Sequence, residues 1–371
     1  MDTQGRSISH MHLQMRILYG VVGEGMGHAM RSRVILDHLI REGHEVEIIA
    51  SSKASDYLGA RFEDVHRIHG LHIVTEKNRV QMGRTLFFNV LRGAAALPGQ
   101  IAAYFRLIED FEPAMVLSDF ESWTYFFAKA HGLPVISIDN MQVIHRCEHT
   151  PEIISGARTD FEVTRAFVQS KLPFCDHYII TTFFHPPIIK KRTSLHLPIL
   201  RPEILAATPS HGDHVLVYQT VGGGGGLGDA LTASGLECRI YGMRPGIEEE
   251  QADGALRYRP FDEETFIADL ASCRAVVASA GFTLMSECVH LHKPMLVTPI
   301  EDHFEQTLNG RYLEDLGYGR TTEEVTTEVM QSFLSALPGF EERLSGYTHD
   351  RNKALFEEVD LQVDRAIVGI Y

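Results

Sequence analysis

Residues 278–287 read Ala278-Ser279-Ala280-Gly281-Phe282-Thr283-Leu284-Met285-Ser286-Glu287. The apolar run from Ala275 ends at Ser279, a glycine turn follows, and a helix opens near Thr283. A helix that starts directly after a strand presents bare N–H groups and the positive end of its dipole at that strand's carboxyl edge. A diphosphate can bind there. Glu287 lies one turn in, on the side of Thr283, where a carboxylate can accept from both hydroxyls of a ribose.

Outward from this segment the same unit repeats. His214 to Gln219, Glu237 to Tyr241 and Leu256 to Pro260 read as strands before it, and Pro294 to Pro299 after it. The first half reads likewise. Met15 to Val22, His44 to Ala50, Ala114 to Ser118, Pro134 to Asp139 and Tyr178 to Thr182 are strand-like, with Ala29 to Glu42 an amphipathic helix. Short apolar runs alternating with helical patterns imply parallel sheets covered by helices on both faces. The segment LPILRPEILAATPSHGD, with three prolines, separates the two series and reads as a linker. The expected division is therefore a leader at 1–14, a first domain at 15–198, a linker at 199–212, a second domain at 213–345, and a C-terminal helix at 346–371 that can pack back on the first domain.

In doubly wound sheets ligands bind outside the carboxyl ends of the strands, so the residues just after each strand are the candidates. After the strand at His214 comes VYQTVGGGGGLG, with Gly222 and Gly223 inside five consecutive glycines. So much backbone freedom suits close approach to a phosphate chain; a merely flexible loop is the alternative. Phe261 follows the strand ending Tyr258-Arg259-Pro260. Pro299-Ile300-Glu301-Asp302-His303-Phe304-Glu305-Gln306 leads into a helix carrying Asn309, where a sugar attached to the diphosphate would point.

After the first strand stands Gly23-Glu24-Gly25-Met26-Gly27-His28-Ala29-Met30-Arg31. Gly25 and Gly27 bring His28 to the mouth of a helix, in a position suited to proton transfer. The pattern GxGxGH is not the GxGxxG of dinucleotide sites. Arg31, one turn further on, faces either an anion or a nearby carboxylate. Asp119 follows the strand at Ala114, with Glu121 beyond it. If the two strands are neighbours, Asp119 can orient and charge-stabilise His28, as the third member does in hydrolase triads. The bland alternative is that Asp119 caps the helix near Glu121.

Charge excludes other classes. With 34 basic and 49 acidic residues the net charge is -15, which argues against a nucleic-acid footprint and weakens the case for peripheral contact with an anionic membrane. Five cysteines at wide spacing contain no CxxC, so neither zinc nor a disulfide framework is indicated, and a reducing cytoplasm is the simplest setting. His145 and His149 flank Cys147 without a third ligand, so no metal is expected there. Thr85 to Phe111 is rich in Leu, Phe and Ala and reads as packed helices, or else as an acceptor pocket or lipid-facing patch.

The SAGF-x3-SE motif, the strand KPMLVTPI and the run ED-H-x2-Q-x2-N resemble the GT-B glycosyltransferases. The resemblance is to the transferase that forms lipid II and to the macrolide and plant small-molecule glycosyltransferases. The GEGxGHxxR opening resembles a less studied bacterial and archaeal group more closely still. The resemblance implies an α/β GT-B architecture of two doubly wound Rossmann-like domains facing across a cleft. It implies an inverting transfer from a nucleotide-diphosphate sugar, UDP- or dTDP-linked, to an acceptor hydroxyl, with no cofactor. The sequence lacks a DxD-type carboxylate pair after a strand and a helix terminus can take the diphosphate charge instead, so no metal is expected. In that reading Gly281, Phe282 and Thr283 hold the diphosphate and Glu287 the ribose. Gln306 and His303 reach the donor sugar, and main-chain groups at Phe261 read the base. His28 is the general base with Asp119 its partner. Asp302-His303 departs from the Asp-Gln or Glu-Gln of many relatives, which leaves the donor sugar open. The acceptor is equally open among a small aglycone, a lipid and a polymer. Two rivals stand beside this reading, a nucleotide-sugar hydrolase or epimerase on the same fold and a non-catalytic nucleotide-sugar-binding subunit.

Overall fold

The computed structural model describes residues 13–23, 25–68, 106, 108–219 and 226–371. Gly222, Gly223 and nearly all of Thr85 to Phe111 lie outside the described residues.

Among the described residues, two sheets of seven strands organise the chain. The first holds β1 (Arg16–Val21), β2 (Glu45–Ser51), β3 (Val65–Ile68), β4 (Met115–Asp119), β5 (Val135–Asp139), β6 (His177–Thr181) and β7 (Thr193–His196). The second holds β8 (His214–Tyr218), β9 (Glu237–Tyr241), β10 (Gln251–Asp253), β11 (Leu256–Arg259), β12 (Ala275–Ala278), β13 (Met295–Val297) and β14 (Gly319–Thr321). Their orders are β3-β2-β1-β4-β5-β6-β7 and β10-β11-β9-β8-β12-β13-β14. The central strands β4 and β5 are buried at every residue, as strands covered on both faces must be. β10 pairs antiparallel with β11, at the edge of its sheet.

Each order reverses once. β1 is followed by β2 on one side and meets β4 on the other, and β8 stands likewise between β9 and β12. At such a reversal the two following helices lie on opposite faces, and a crevice opens between their starts.

The chain forms two compact units, one of residues up to Ile138 with Lys171–His177 and Phe356–Tyr371, the other of Asp139–Ser170 and Tyr178–Leu355. In the first, the helix Lys353–Ile367 is fixed by Phe356, whose ring stacks on His38 at 4.2 Å. Asp360 sits 2.7 Å from His38 Nε2. In the second, Met330, Phe333 and Leu337 of the helix Thr327–Leu344 pack under Val215, Val217 and Ile240. Each such side chain contributes about 1.5–3 kcal/mol when taken from water.

Within the second unit, contacts to Tyr312 of the helix Phe304–Asp315 hold the segments 139–170 and 178–198. The Phe184 ring stacks on Tyr312 at 3.9 Å, and His149 Nδ1 lies 2.8 Å from the Tyr312 hydroxyl. The proline-marked connection is no loose tether. Ile199, Leu200, Arg201 and Ile204 are buried, Pro202–Ala206 is helical, and Asn352 bonds both backbone groups of Leu200.

A methyl group at Gly319 would sit 2.1 Å from the Met295 carbonyl oxygen, whereas one at Gly339 in the helix Thr327–Leu344 would meet nothing within 4 Å. Gly319→Ala should lower the melting temperature through overpacking, at a cost of about 1–3 kcal/mol. Gly339→Ala should raise it, since glycine in a helix interior costs about 0.8–1 kcal/mol against alanine. Thermal melts of the two variants check both signs.

Candidate functional site

At the first reversal, Val21 of β1 lies opposite Asp119 of β4, and the Val22 N–H donates to the Asp119 carbonyl at 3.2 Å. The helix Met26–Arg41 begins after Gly25, whose φ of 86° and ψ of 160° only glycine adopts without strain. His28 is the third residue of that helix. Arg31 and Ser32 follow at i+3 and i+4 and so share its face. All three converge on one carboxylate. His28 Nδ1 lies 2.8 Å from Asp119 Oδ1, Arg31 Nε donates to Oδ2 at 2.8 Å, and the Ser32 hydroxyl donates to Oδ2 at 2.9 Å. Arg31 Nη2 reaches Oδ1 as well.

Asp119 is 1% exposed. Burial alone would raise its pKa, but Arg31 and His28 outweigh that and hold the carboxyl well below the usual range. His28 Nδ1 also lies 2.7 Å from Arg31 Nη2; in the tautomer that donates Nδ1–H to Asp119, Nε2 carries the lone pair, the arrangement a general base needs. Arg31 is thus occupied by a carboxylate. Glu121 is occupied too: its side chain caps the helix Ser122–His131, accepting from the Trp123 and Thr124 N–H groups at 2.7 Å each. The capping role considered for Asp119 belongs to Glu121. Between them Phe120 holds a φ of 56°, a sparsely populated conformation for a bulky residue.

At the second reversal Ala278 of β12 lies opposite Tyr218 of β8. The helix Phe282–His290 starts there with Gly281 as N-cap and no side chain capping it. Gly281 has an ordinary φ of -71°, and a methyl group there would meet nothing within 4 Å. Among the described residues neither conformation nor packing calls for glycine at this position. Glu287 is 3% exposed and receives a two-pronged contact from Arg201, Nε to Oε1 at 2.8 Å and Nη2 to Oε2 at 2.9 Å. Arg201 Nη1 donates to Glu263 at 2.6 Å. Burial works against the Arg201 charge, but the two glutamates outweigh it and hold the guanidinium above its usual value.

Phe261 is 55% exposed, its ring 5.5 Å from Phe266 and 6.4 Å from both Tyr218 and Tyr241. His303 precedes the helix Phe304–Asp315 and is exposed. The Gln306 carbonyl oxygen accepts the Ile300 N–H at 3.0 Å, so it orders its own turn. Glu305 Oε1 accepts from Asn140 at 2.8 Å and from Asn309 at 3.1 Å, and Asn309 also donates to the Ala280 carbonyl. His149 is bonded to Tyr312 and the Val143 carbonyl, and burial pushes His145 down to about 4. Among the described residues no group of three or more His, Cys, Asp or Glu could hold a metal ion. Arg201, Ser32 and Glu305 are parts of these sites that the sequence reading did not single out. Nothing in an Arg-Pro step announces a partner 86 residues away.

Asp119→Asn should strand the Arg31 charge, which is buried, and cost about 3–5 kcal/mol. His28→Ala leaves that pair intact and should melt near the parent. Because the folded pKa of Asp119 is depressed, its contribution is full above the unfolded value of about 3.9 and is lost as pH falls below it. Melts of both variants at neutral pH, and of the parent across acid pH, check this.

The profile of Glycosyl transferase family 1 matches residues 15–338. An uncharacterized glycosyltransferase of Methanosarcina mazei is 23% identical over 351 residues, 86% of this chain and 90% of that protein. One from Methanosarcina acetivorans is 22% identical over the same shares. Among solved structures, the glycotransferase of kitacinnamycin aligns with a TM-score of 0.66 at 15% identity, covering 95% of this chain and 99% of that one. The calicheamicin glycosyltransferase CalG4 aligns at 0.61 and 14%, with 95% and 99% coverage. The spinosyn rhamnosyltransferase SpnG aligns at 0.58 and 17%, with 93% and 100% coverage. Two mainly parallel seven-stranded sheets and these neighbours make the fold GT-B. With its profile matched from residue 15 to 338, the chain belongs to Glycosyl transferase family 1 and is a glycosyltransferase.

Proposed function

We propose that the chain transfers a sugar from a UDP- or dTDP-linked donor to an acceptor hydroxyl, with inversion and without metal. The observation that carries the reading is the His28–Asp119 contact of 2.8 Å at the β1–β4 reversal. His28 Nε2 takes the acceptor proton, and the freed oxygen pair forms the new bond to the anomeric carbon. The bond from that carbon to the diphosphate breaks, and its electron pair leaves with the nucleotide. The uncapped helix start at Gly281–Thr283 takes up the charge growing on the leaving phosphate, as oriented N–H dipoles do at oxyanion sites. With such a dipole in place no divalent cation is required. Glu287 accepts from the ribose, Phe261 lies against the base, and His303 is exposed toward the sugar.

Support for the donor class comes from the fold's neighbours, one of which is SpnG in complex with thymidine diphosphate. All five cysteines are buried thiols outside any disulfide, which suits the reducing cytoplasm we propose as its location. Among the described residues no helix is long and apolar enough to cross a membrane. The acceptor is a small aglycone, a lipid or a polymer bearing a hydroxyl.

His28→Ala should lower turnover by about 10²–10⁴-fold, the usual loss for a general base, with nucleotide affinity unchanged. Transfer is followed by the mass gain of a panel of acceptors with UDP- and dTDP-sugars, with chelator present. Near-normal turnover in the variant would remove His28 from the mechanism, and dependence on added magnesium or manganese would remove the metal-free part.

A further inference from the structure

We infer that Arg201 is a positioning residue for the donor site, fixing the Glu287 carboxylate so that it reads the 2′-hydroxyl of a ribonucleotide. The inference deepens the proposed donor reading and rests on it. Arg201 stands at the start of the connection between the two sheets, 3% exposed, as N-cap of the short helix Pro202–Ala206. Its guanidinium spans two strand-following segments at once. It meets Glu287 in the helix after β12 through two parallel bonds, and Glu263 at the start of the helix after β11 through a third.

A two-pronged guanidinium–carboxylate pair fixes the plane of the carboxylate as well as its position. Each carboxylate oxygen accepts about two hydrogen bonds, so one direction on each oxygen remains beyond the Arg201 bond. A ribose offers two vicinal hydroxyls to such a pair of oxygens. Tyr218, at the end of β8, lies near enough for Glu287 to add to the burial that raises its phenol. Lysine would supply the charge but not the planar fork. The carboxylate would then turn, and the reading of two hydroxyls would degrade before the fold did.

The test is calorimetric titration of UDP, 2′-deoxy-UDP and inorganic pyrophosphate into the full-length protein, its Arg201→Lys variant and its Glu263→Gln variant, with melts alongside. The parent should bind UDP about tenfold more tightly than 2′-deoxy-UDP, the scale of one hydrogen bond to a charged group. Arg201→Lys should lose that preference while keeping its pyrophosphate affinity, and Glu263→Gln, which frees one side of the guanidinium, should lose part of it. If Arg201→Lys does not fold, Glu263→Gln carries the test alone. A parent that prefers UDP, with variants that keep the full preference whatever their melting temperature, makes Arg201 a stabilising residue only and overturns the inference while sparing the donor site. A parent that binds neither UDP nor pyrophosphate overturns the donor site and the inference with it.

Discussion

Every strand of a parallel sheet delivers its chain to the same edge, and where the winding reverses two successive helices leave on opposite faces. That constraint acts twice here, at β1–β4 and at β8–β12. Residues distant in sequence are brought together by it. Asp119 meets a helix that begins at Met26, and the helix start after β12 stands level with the end of β8. The chemistry of each reversal follows from which side chains stand first after the strands.

Each unit answers the cost of a buried carboxylate with an arginine. Asp119 receives Arg31, His28 and Ser32, and Glu287 receives the fork of Arg201. Several kcal/mol of lost hydration per ion must be offset at such sites, and good geometry with further hydrogen bonds is what offsets it. Apolar residues of similar shape could stabilise these positions at least as well. A fixed, ionised Asp119 orients an imidazole, and a fixed Glu287 presents oxygens in a set plane.

The α/β alternation was legible because β1, β4, β5, β8 and β12 are buried on both faces and so read as mainly apolar runs. The edges were not. β3, β7, β10 and β14 are short and carry polar residues such as His66, Arg67, His196, Gln251 and Arg320, with too little apolar pattern to mark a strand. The pairing of His28 with Asp119 could be conditioned on β1 and β4 being neighbours, and they are. Arg31 was readable only as bound to some anion, because its partner is set by the fold. Glu121 looked like a spare carboxylate, yet the local demand of the Trp123 and Thr124 N–H groups takes it. The packing of 139–170 and 178–198 within the second unit rests on rings such as Phe184 on Tyr312, a contact between positions far apart in sequence.

Gly281 gives the most direct test of the central claim, that the helix start after β12 receives the diphosphate of a donor. Among the described residues nothing lies within 4 Å of where a methyl group at 281 would stand, and the backbone there is extended enough for any residue. Gly281→Val should therefore fold, with about the 1 kcal/mol cost of an apolar N-cap, while calorimetric titration with UDP and with thymidine diphosphate should show binding lost. Unchanged nucleotide affinity in a folded Gly281→Val variant would place the diphosphate elsewhere and contradict the account.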